Sequence, residues 1–200
     1  MPSRNVIKVN VPESYYHVYA RGSNKTQIFL EESDYLYFLT LFHRYLTKEK
    51  IDIQTVEHYQ KLNDVVEVLA YCLMPNHFHL LLFQIDEGGM SKLMHGVMTS
   101  YSRYFNSKYG RSGPLFESRY KASRISSDEY LMHISRYIHR NPDEWIDYPH
   151  SSIRAYLYND IPSWMNKKHI AQLYESAIKY REFLEDYQEK NERLRLDYKN

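Results

Sequence analysis

Two strongly apolar runs, Val65 to Leu73 and His77 to Gln84, are separated only by Met74-Pro75-Asn76. Proline presets φ for the first central position of a tight turn, and asparagine suits the next one. The runs therefore read as two antiparallel strands of one hairpin, and no other part of the chain restricts the fold as strongly. Side chains i and i+2 of a strand share a face. His77 and His79 thus project side by side just after the turn, with Phe78 and Leu80 on the other face. Two neutral imidazoles make half of a coordination shell for a divalent cation. The alternative is a pair of hydrogen-bonded histidines near a strand end.

The elements around the hairpin define a fold class. Residues 15–21 are rich in β-formers and lead into the loop Gly22-Ser23-Asn24. Ser33 or Asp34 can cap a helix that carries Leu36, Leu39, Phe42, Tyr45 and Leu46 and ends near Lys48. Residues 51–57 alternate apolar and polar, as a strand does, and residues 60–64 are a polar break. A helix is expected from Ser91 to about Tyr109, closed by Gly110, and a strand from Leu115 to Ile125. A further helix over 127–141 is opened by a capping box, Ser126 with Glu129, and stopped by Pro142. After a loop at 148–152, helices are expected from about Ser163, followed by a charged, frayed tail from Glu189 to Asn200. Strand-helix-strand-strand-helix-strand is the order of an α+β, ferredoxin-like (βαββαβ) antiparallel sheet with helices packed on one face, here with C-terminal helices added.

Composition narrows the setting more than the function. Two hundred residues suit one domain with an appendage. No apolar run is long enough to span a bilayer, and Met1-Pro2-Ser3-Arg4 lacks the apolar core of a signal peptide. Cys72 is the only cysteine, so no disulfide framework is expected and the cytoplasm is the expected location. The net charge is only +1, yet residues 103–140 hold Arg103, Lys108, Arg111, Arg119, Lys121, Arg124, Arg136 and Arg140 against Glu117, Asp128 and Glu129. Such a segment is a candidate anion-binding face, or else a solvated one. Twenty-one tyrosines offer surfaces on which bases could stack.

The helix over 127–141 carries the second chemical pattern. Leu131, Ile134 and Ile138 make a buried stripe, and His133, Tyr137 and Asn141 recur at i, i+4 and i+8 along its flank. Asn141 could give a carbonyl oxygen to a metal held by two imidazoles, with Tyr137 beside it. A phenol, with an ordinary pKa of about 10, becomes a useful nucleophile when a divalent cation polarises its electrophile. A phosphodiester suits that arrangement. From spacing alone, Tyr137 reads more readily as an ordinary residue of an amphipathic helix.

Leu73-Met74-Pro75-Asn76-His77-Phe78-His79-Leu80-Leu81 resembles the histidine–hydrophobe–histidine (HUH) motif of single-tyrosine transposases. The sub-group it resembles most is the REP-associated tyrosine transposases and their insertion-sequence relatives. Three more segments agree in order. Tyr16-His17-Val18 through Arg21-Gly22-Ser23-Asn24-Lys25 to Ile28-Phe29 is similar to the family's first strand and loop. Gly113-Pro114-Leu115-Phe116 to Arg119-Tyr120 is similar to the segment before its catalytic helix. Tyr137-Ile138-His139-Arg140-Asn141-Pro142, with Ser151-Ser152 and Tyr156, is similar to the helix that carries its nucleophile. The resemblance runs over roughly 14–158, which divides the chain into a catalytic domain at 1–158 and a helical extension at 159–200.

The resemblance implies that His77, His79 and Asn141 bind Mg²⁺ or Mn²⁺ and that Tyr137 is the nucleophile. The third ligand is often glutamine in related groups, one methylene longer than Asn141, so His133 and His139 stay open as alternatives. Tyr130, Tyr101 and Tyr104 stay open as nucleophiles. The implied activity is a metal-dependent single-stranded DNA endonuclease and strand transferase that works at hairpin-associated sites through a 5′-phosphotyrosine intermediate. The implied partner is single-stranded or hairpin DNA, with no membrane, and both monomer and homodimer stay open. Arg21, Lys25, Arg119, Lys121 and Arg124 are the candidate DNA contacts, positioning the backbone rather than reading sequence. Two other readings are a hairpin DNA- or RNA-binding module with a vestigial metal site, and a metallohydrolase of a small phosphoester with water as nucleophile.

Overall fold

The computed structural model describes residues 10–47 and 60–186, so the strand expected over 51–57 and the tail from Glu189 lie outside the described residues. Four strands, β1 (Ser14–Arg21), β2 (Val66–Met74), β3 (His77–Gln84) and β4 (Lys121–Ile125), form one sheet in the order β2-β3-β1-β4. Every neighbouring pair is antiparallel. Helix α1 (Glu32–Leu46) falls between β1 and β2, and α2 (Gly89–Lys108) between β3 and β4. The ferredoxin-like order is therefore present, and β3 has the bounds expected for it.

Strand alternation divides the sheet into two unlike faces. Tyr16, Val18, Phe78, Leu80 and Leu82 are buried against α1 and α2. There the ring of Phe38 meets Phe78 at 5.2 Å and Tyr101 at 5.0 Å between centroids. The two helices come close because position 96 is glycine, where a Cβ would run into the ring of Tyr45. The other face carries His17, Tyr19, His77 and His79, and α3 (Asp128–His139) lies over it, against β2 and β3.

Several boundaries move for identifiable reasons. Glu31, rather than Ser33 or Asp34, caps α1, because the Asp34 carboxylate reaches back to the N–H groups of Leu30 and Glu31 at 2.8 and 3.2 Å. Residues 115–120 are a loop rather than the first half of β4. Leu115, Phe116 and Tyr120 are all buried, and the segment is joined to the end of β1 by a bridge between Phe116 and Gly22. Ser127 caps α3, its hydroxyl accepting from the Tyr130 N–H at 3.2 Å, in place of the expected Ser126. That helix stops at His139, because Pro142 disfavours helical backbone at the residue before it.

Beyond α3 come α4 (Ile153–Leu157), α5 (Lys168–Ala171) and α6 (Ala177–Glu185). The chain after α4 crosses the β2 edge, where the Asn166 N–H donates to the Val68 carbonyl at 3.0 Å and Trp164 stacks on Phe42. Helix α6 then packs on α3, with Arg136 donating to the Phe183 carbonyl at 3.1 Å. Among the described residues, no helix is long and apolar enough to cross a membrane.

His139 ties these parts together. It has no exposed surface, and its ring nitrogens meet the Tyr180 hydroxyl at 2.6 Å and the Ser152 hydroxyl at 2.7 Å. Burial pulls its pKa down to about 3. Between that value and the ordinary one, the unfolded chain takes up a proton that the folded chain refuses, so folding stability drops as pH falls. The slope has a ceiling of about 1.4 kcal/mol per pH unit for each such histidine. Urea midpoints measured from pH 7 to pH 4.5 in a chelator should fall less steeply in His139→Gln than in wild type. Equal slopes would show that His139 is not held neutral in the fold.

Candidate active site

The turn that carries the histidine pair is clasped by the loop after β1. The Gly22 N–H donates to the Asn76 carbonyl at 2.9 Å, and the N–H groups of Ile28 and Phe29 donate to the Pro75 carbonyl at 2.7 and 3.1 Å. Glycine is needed at position 22, because a Cβ there would run into the Thr26 carbonyl. Asn76 completes the clasp by donating to the Lys25 carbonyl at 3.3 Å.

His77 is thereby held in one orientation. Its Nδ1 lies 2.6 Å from Asn76 Oδ1, and an amide oxygen only accepts, so the ring hydrogen belongs on Nδ1. The Nε2 lone pair then faces Asn141 Oδ1, 3.2 Å away. Two acceptors facing each other have no hydrogen to share, whereas a cation between them satisfies both. Neighbouring ligands of one ion, each bonded at about 2.1 Å, sit about 3.0–3.4 Å apart. The donor set at this point fits a divalent cation.

His79 follows on the same strand face, its ring 5.1 Å from that of His77 and nearly perpendicular to it. It is buried, and its Nδ1 lies 2.9 Å from Nε2 of His17 on β1. Tyr137 on α3 presents its ring edge-on to His79 at 5.2 Å and to His17 at 5.7 Å. Burial pulls His17 down to about 3 and His77 to about 4, the latter with the Asn141 oxygen beside its Nε2 acting the other way and the Arg21 charge adding to the fall. Burial first, then the neighbouring His17, His77 and Arg21, holds His79 well below the usual histidine range. All three rings are therefore neutral at neutral pH, the form in which imidazole binds metals.

Residues 58–141 match the family model of IS200-like transposases. The matched segment contains His77, His79 and Tyr137 and ends on Asn141, and the match supports a transposase role. The structure of a REP-associated tyrosine transposase bound to a REP hairpin aligns over 82% of this chain and 91% of its own, with 16% identity and a TM-score of 0.54. At that identity the likeness speaks for the fold. A candidate transposase from Deinococcus radiodurans R1 aligns over 69% of this chain and 95% of its own, also with 16% identity, at a TM-score of 0.41, and no argument rests on it. No curated protein matches the chain.

The matched segment and its flanks bring some expected residues together and scatter others. Arg21 pairs in register with His77, and Lys121 pairs with Tyr19 and lies over its ring at 5.9 Å, on the histidine face. Lys25 is exposed in the clasping loop. Arg124 pairs with Tyr16, so it points to the opposite face from Lys121. Arg119 is exposed and lines a separate cleft of about 950 Å³ between α2 and the 113–120 loop. The basic run is not one surface: Lys108 is bound by Glu31 and Asp34, both at 2.7 Å, and Arg136 is buried under Phe183.

The alternative residues lie elsewhere in this transposase-like fold. His139 is engaged by Tyr180 and Ser152, and His133 sits beside Arg136 at 2.9 Å. Tyr101 is buried on the other face and donates to the Ile28 carbonyl, while Tyr104 donates to Asp34. Asn141 sits just past the end of α3 rather than on its last turn, and still reaches His77. His17 and Tyr19 are the residues that sequence reasoning left out of the site. The period-two alternation of β1 puts both on one face, but which strand lies beside them is not readable from it.

Proposed function

We propose that the chain is a metal-dependent single-stranded DNA endonuclease and strand transferase that acts at hairpin-associated sites through Tyr137. The observation that carries this reading is the grouping of Tyr137 against His79, with His77 Nε2 facing Asn141 Oδ1 at 3.2 Å. His77, His79 and Asn141 would hold Mg²⁺ or Mn²⁺. Such an ion, when bound, polarises the scissile phosphate and stabilises charge on the departing oxygen. All four of these side chains come from one chain.

The Tyr137 phenol oxygen attacks phosphorus, the bond from phosphorus to the 3′ oxygen breaks, and a 5′-phosphotyrosine ester forms. The phenol gives its proton to solvent and the freed 3′ oxygen takes one up. Attack on the ester by a 3′-hydroxyl reverses these changes and rejoins a strand. Residues 1–158 would carry this chemistry, with 159–200 as an extension. The hairpin bound by the structurally similar REP-associated transposase supports hairpin DNA as the substrate class. The single cysteine, Cys72, supports action in the cytoplasm.

The deciding experiment incubates the protein with single-stranded hairpin oligonucleotides and Mn²⁺ and looks for a covalent protein–DNA band after denaturation. Hairpin binding that ignores chelator and yields no band would leave only a binding module. Turnover of a small phosphoester retained in Tyr137→Phe would point to a hydrolase. Lys121→Ala should weaken binding to all hairpins alike and lower the salt-dependence slope by about 0.7–0.9. An unchanged slope in a salt titration would remove Lys121 from the DNA path.

A further inference from the structure

We infer that His17 is a positioning residue for this site: its Nε2 accepts a hydrogen bond from His79 Nδ1–H, which holds His79 in the tautomer that presents Nε2 as a ligand. The inference rests on the proposed metal site and deepens it. His17 and His79 are diagonal neighbours on one sheet face, since His17 pairs with Leu81 and Tyr19 pairs with His79. Their facing nitrogens are 2.9 Å apart and must share a single hydrogen. If His17 donated, the hydrogen of His79 would sit on Nε2 and that nitrogen could not bind a cation. If His79 donates, Nε2 is left with its lone pair.

His77 points the same way. Its Nδ1 is held by Asn76 and its Nε2 is presented toward Asn141. Both histidines of the pair would thus be locked at Nδ1 by a side-chain acceptor, in the manner by which metal-bound imidazoles are usually oriented. His17 is well suited to the task. It has no exposed surface, and its ring is stacked with both Tyr19 and His79, with centroids 5.3 and 5.1 Å apart. Such a ring cannot swing aside, so it holds His79 in one rotamer as well as one tautomer.

The first test is the ¹⁵N spectrum of the histidine rings in the metal-free wild-type protein. We expect His79 as the Nδ1–H tautomer; finding its hydrogen on Nε2 overturns the proposal. The second is Mn²⁺ titration by calorimetry without DNA. His17→Phe keeps the ring and removes the acceptor, and should weaken Mn²⁺ binding by about 10–100-fold. His17→Gln can place an amide oxygen near the lost Nε2, and should stay within about threefold of wild type. Wild-type affinity in His17→Phe, or an equal loss in both variants, overturns the acceptor role. If neither variant folds, the wild-type ring spectrum still decides the direction of the bond. If wild type itself binds no Mn²⁺, the metal site falls, and the inference falls with it as a statement about a ligand.

Discussion

Tyr137→Phe should bind hairpin DNA within about threefold of wild type and lose covalent adduct by about 10⁴-fold or more, the scale expected when a nucleophile is deleted. The change removes one oxygen from a half-buried ring that touches His79 and His17 through its edge. Those ring contacts survive in phenylalanine, so the imidazoles and the sheet face should be undisturbed. What disappears is the only atom of this side chain that can bond to phosphorus. Adduct is read on denaturing gels with Mn²⁺, and binding by gel shift in the same buffer. If the variant still forms adduct, the nucleophile is another residue, and Tyr130 on the same helix is the next to replace.

The parts of this fold that were legible were those set by local patterns. A Pro-Asn turn between two apolar runs fixes a hairpin, and β3 runs from His77 to Gln84 as read. The capping box read at Ser126 lies one residue early, because the hydroxyl of the adjacent Ser127 is the one that reaches an N–H. The loop at 115–120 looked like a strand because apolar and basic residues interleave there. Its apolar members are buried as a plug rather than along a strand face. Charges were the least legible. Lys108 and Arg136 are consumed by packing and pairing inside the protein, and one residue of alternation decides that Arg124 and Lys121 face opposite ways.

Tyrosine count misled in a similar manner. Tyr16, Tyr101 and Tyr180 are among the largest fully buried side chains, so part of that aromatic surface belongs to the core and is not open to bases. The histidine pair was visible because i and i+2 of a strand must share a face. His17 was not, because its bond to His79 joins residues 62 apart in the chain. Periodicity says which face a side chain takes and says nothing of the strand beside it. The site is therefore half local and half topological, and the topological half includes His17, the acceptor proposed for His79.

The contact between Asn141 and His77 separates the third-ligand assignments by experiment. Asn141 follows the end of α3, with its backbone N–H directed to the Ile138 carbonyl, so its side chain can be changed without opening a helical turn. Asn141→Ala removes the oxygen that faces His77 Nε2 and should weaken Mn²⁺ binding by about tenfold or more, with a matching fall in adduct. Asn141→Asp keeps an oxygen at the same reach and adds a charge, so Mn²⁺ affinity should equal or exceed wild type. His77→Ala removes a proposed ligand and should cost about 100-fold or more in both readouts. Calorimetry for the metal and denaturing gels for the adduct give the two measurements independently. Unchanged Mn²⁺ affinity in Asn141→Ala would mean that the third ligand lies elsewhere. His139, sealed between Tyr180 and Ser152, would have to leave both partners to take that place.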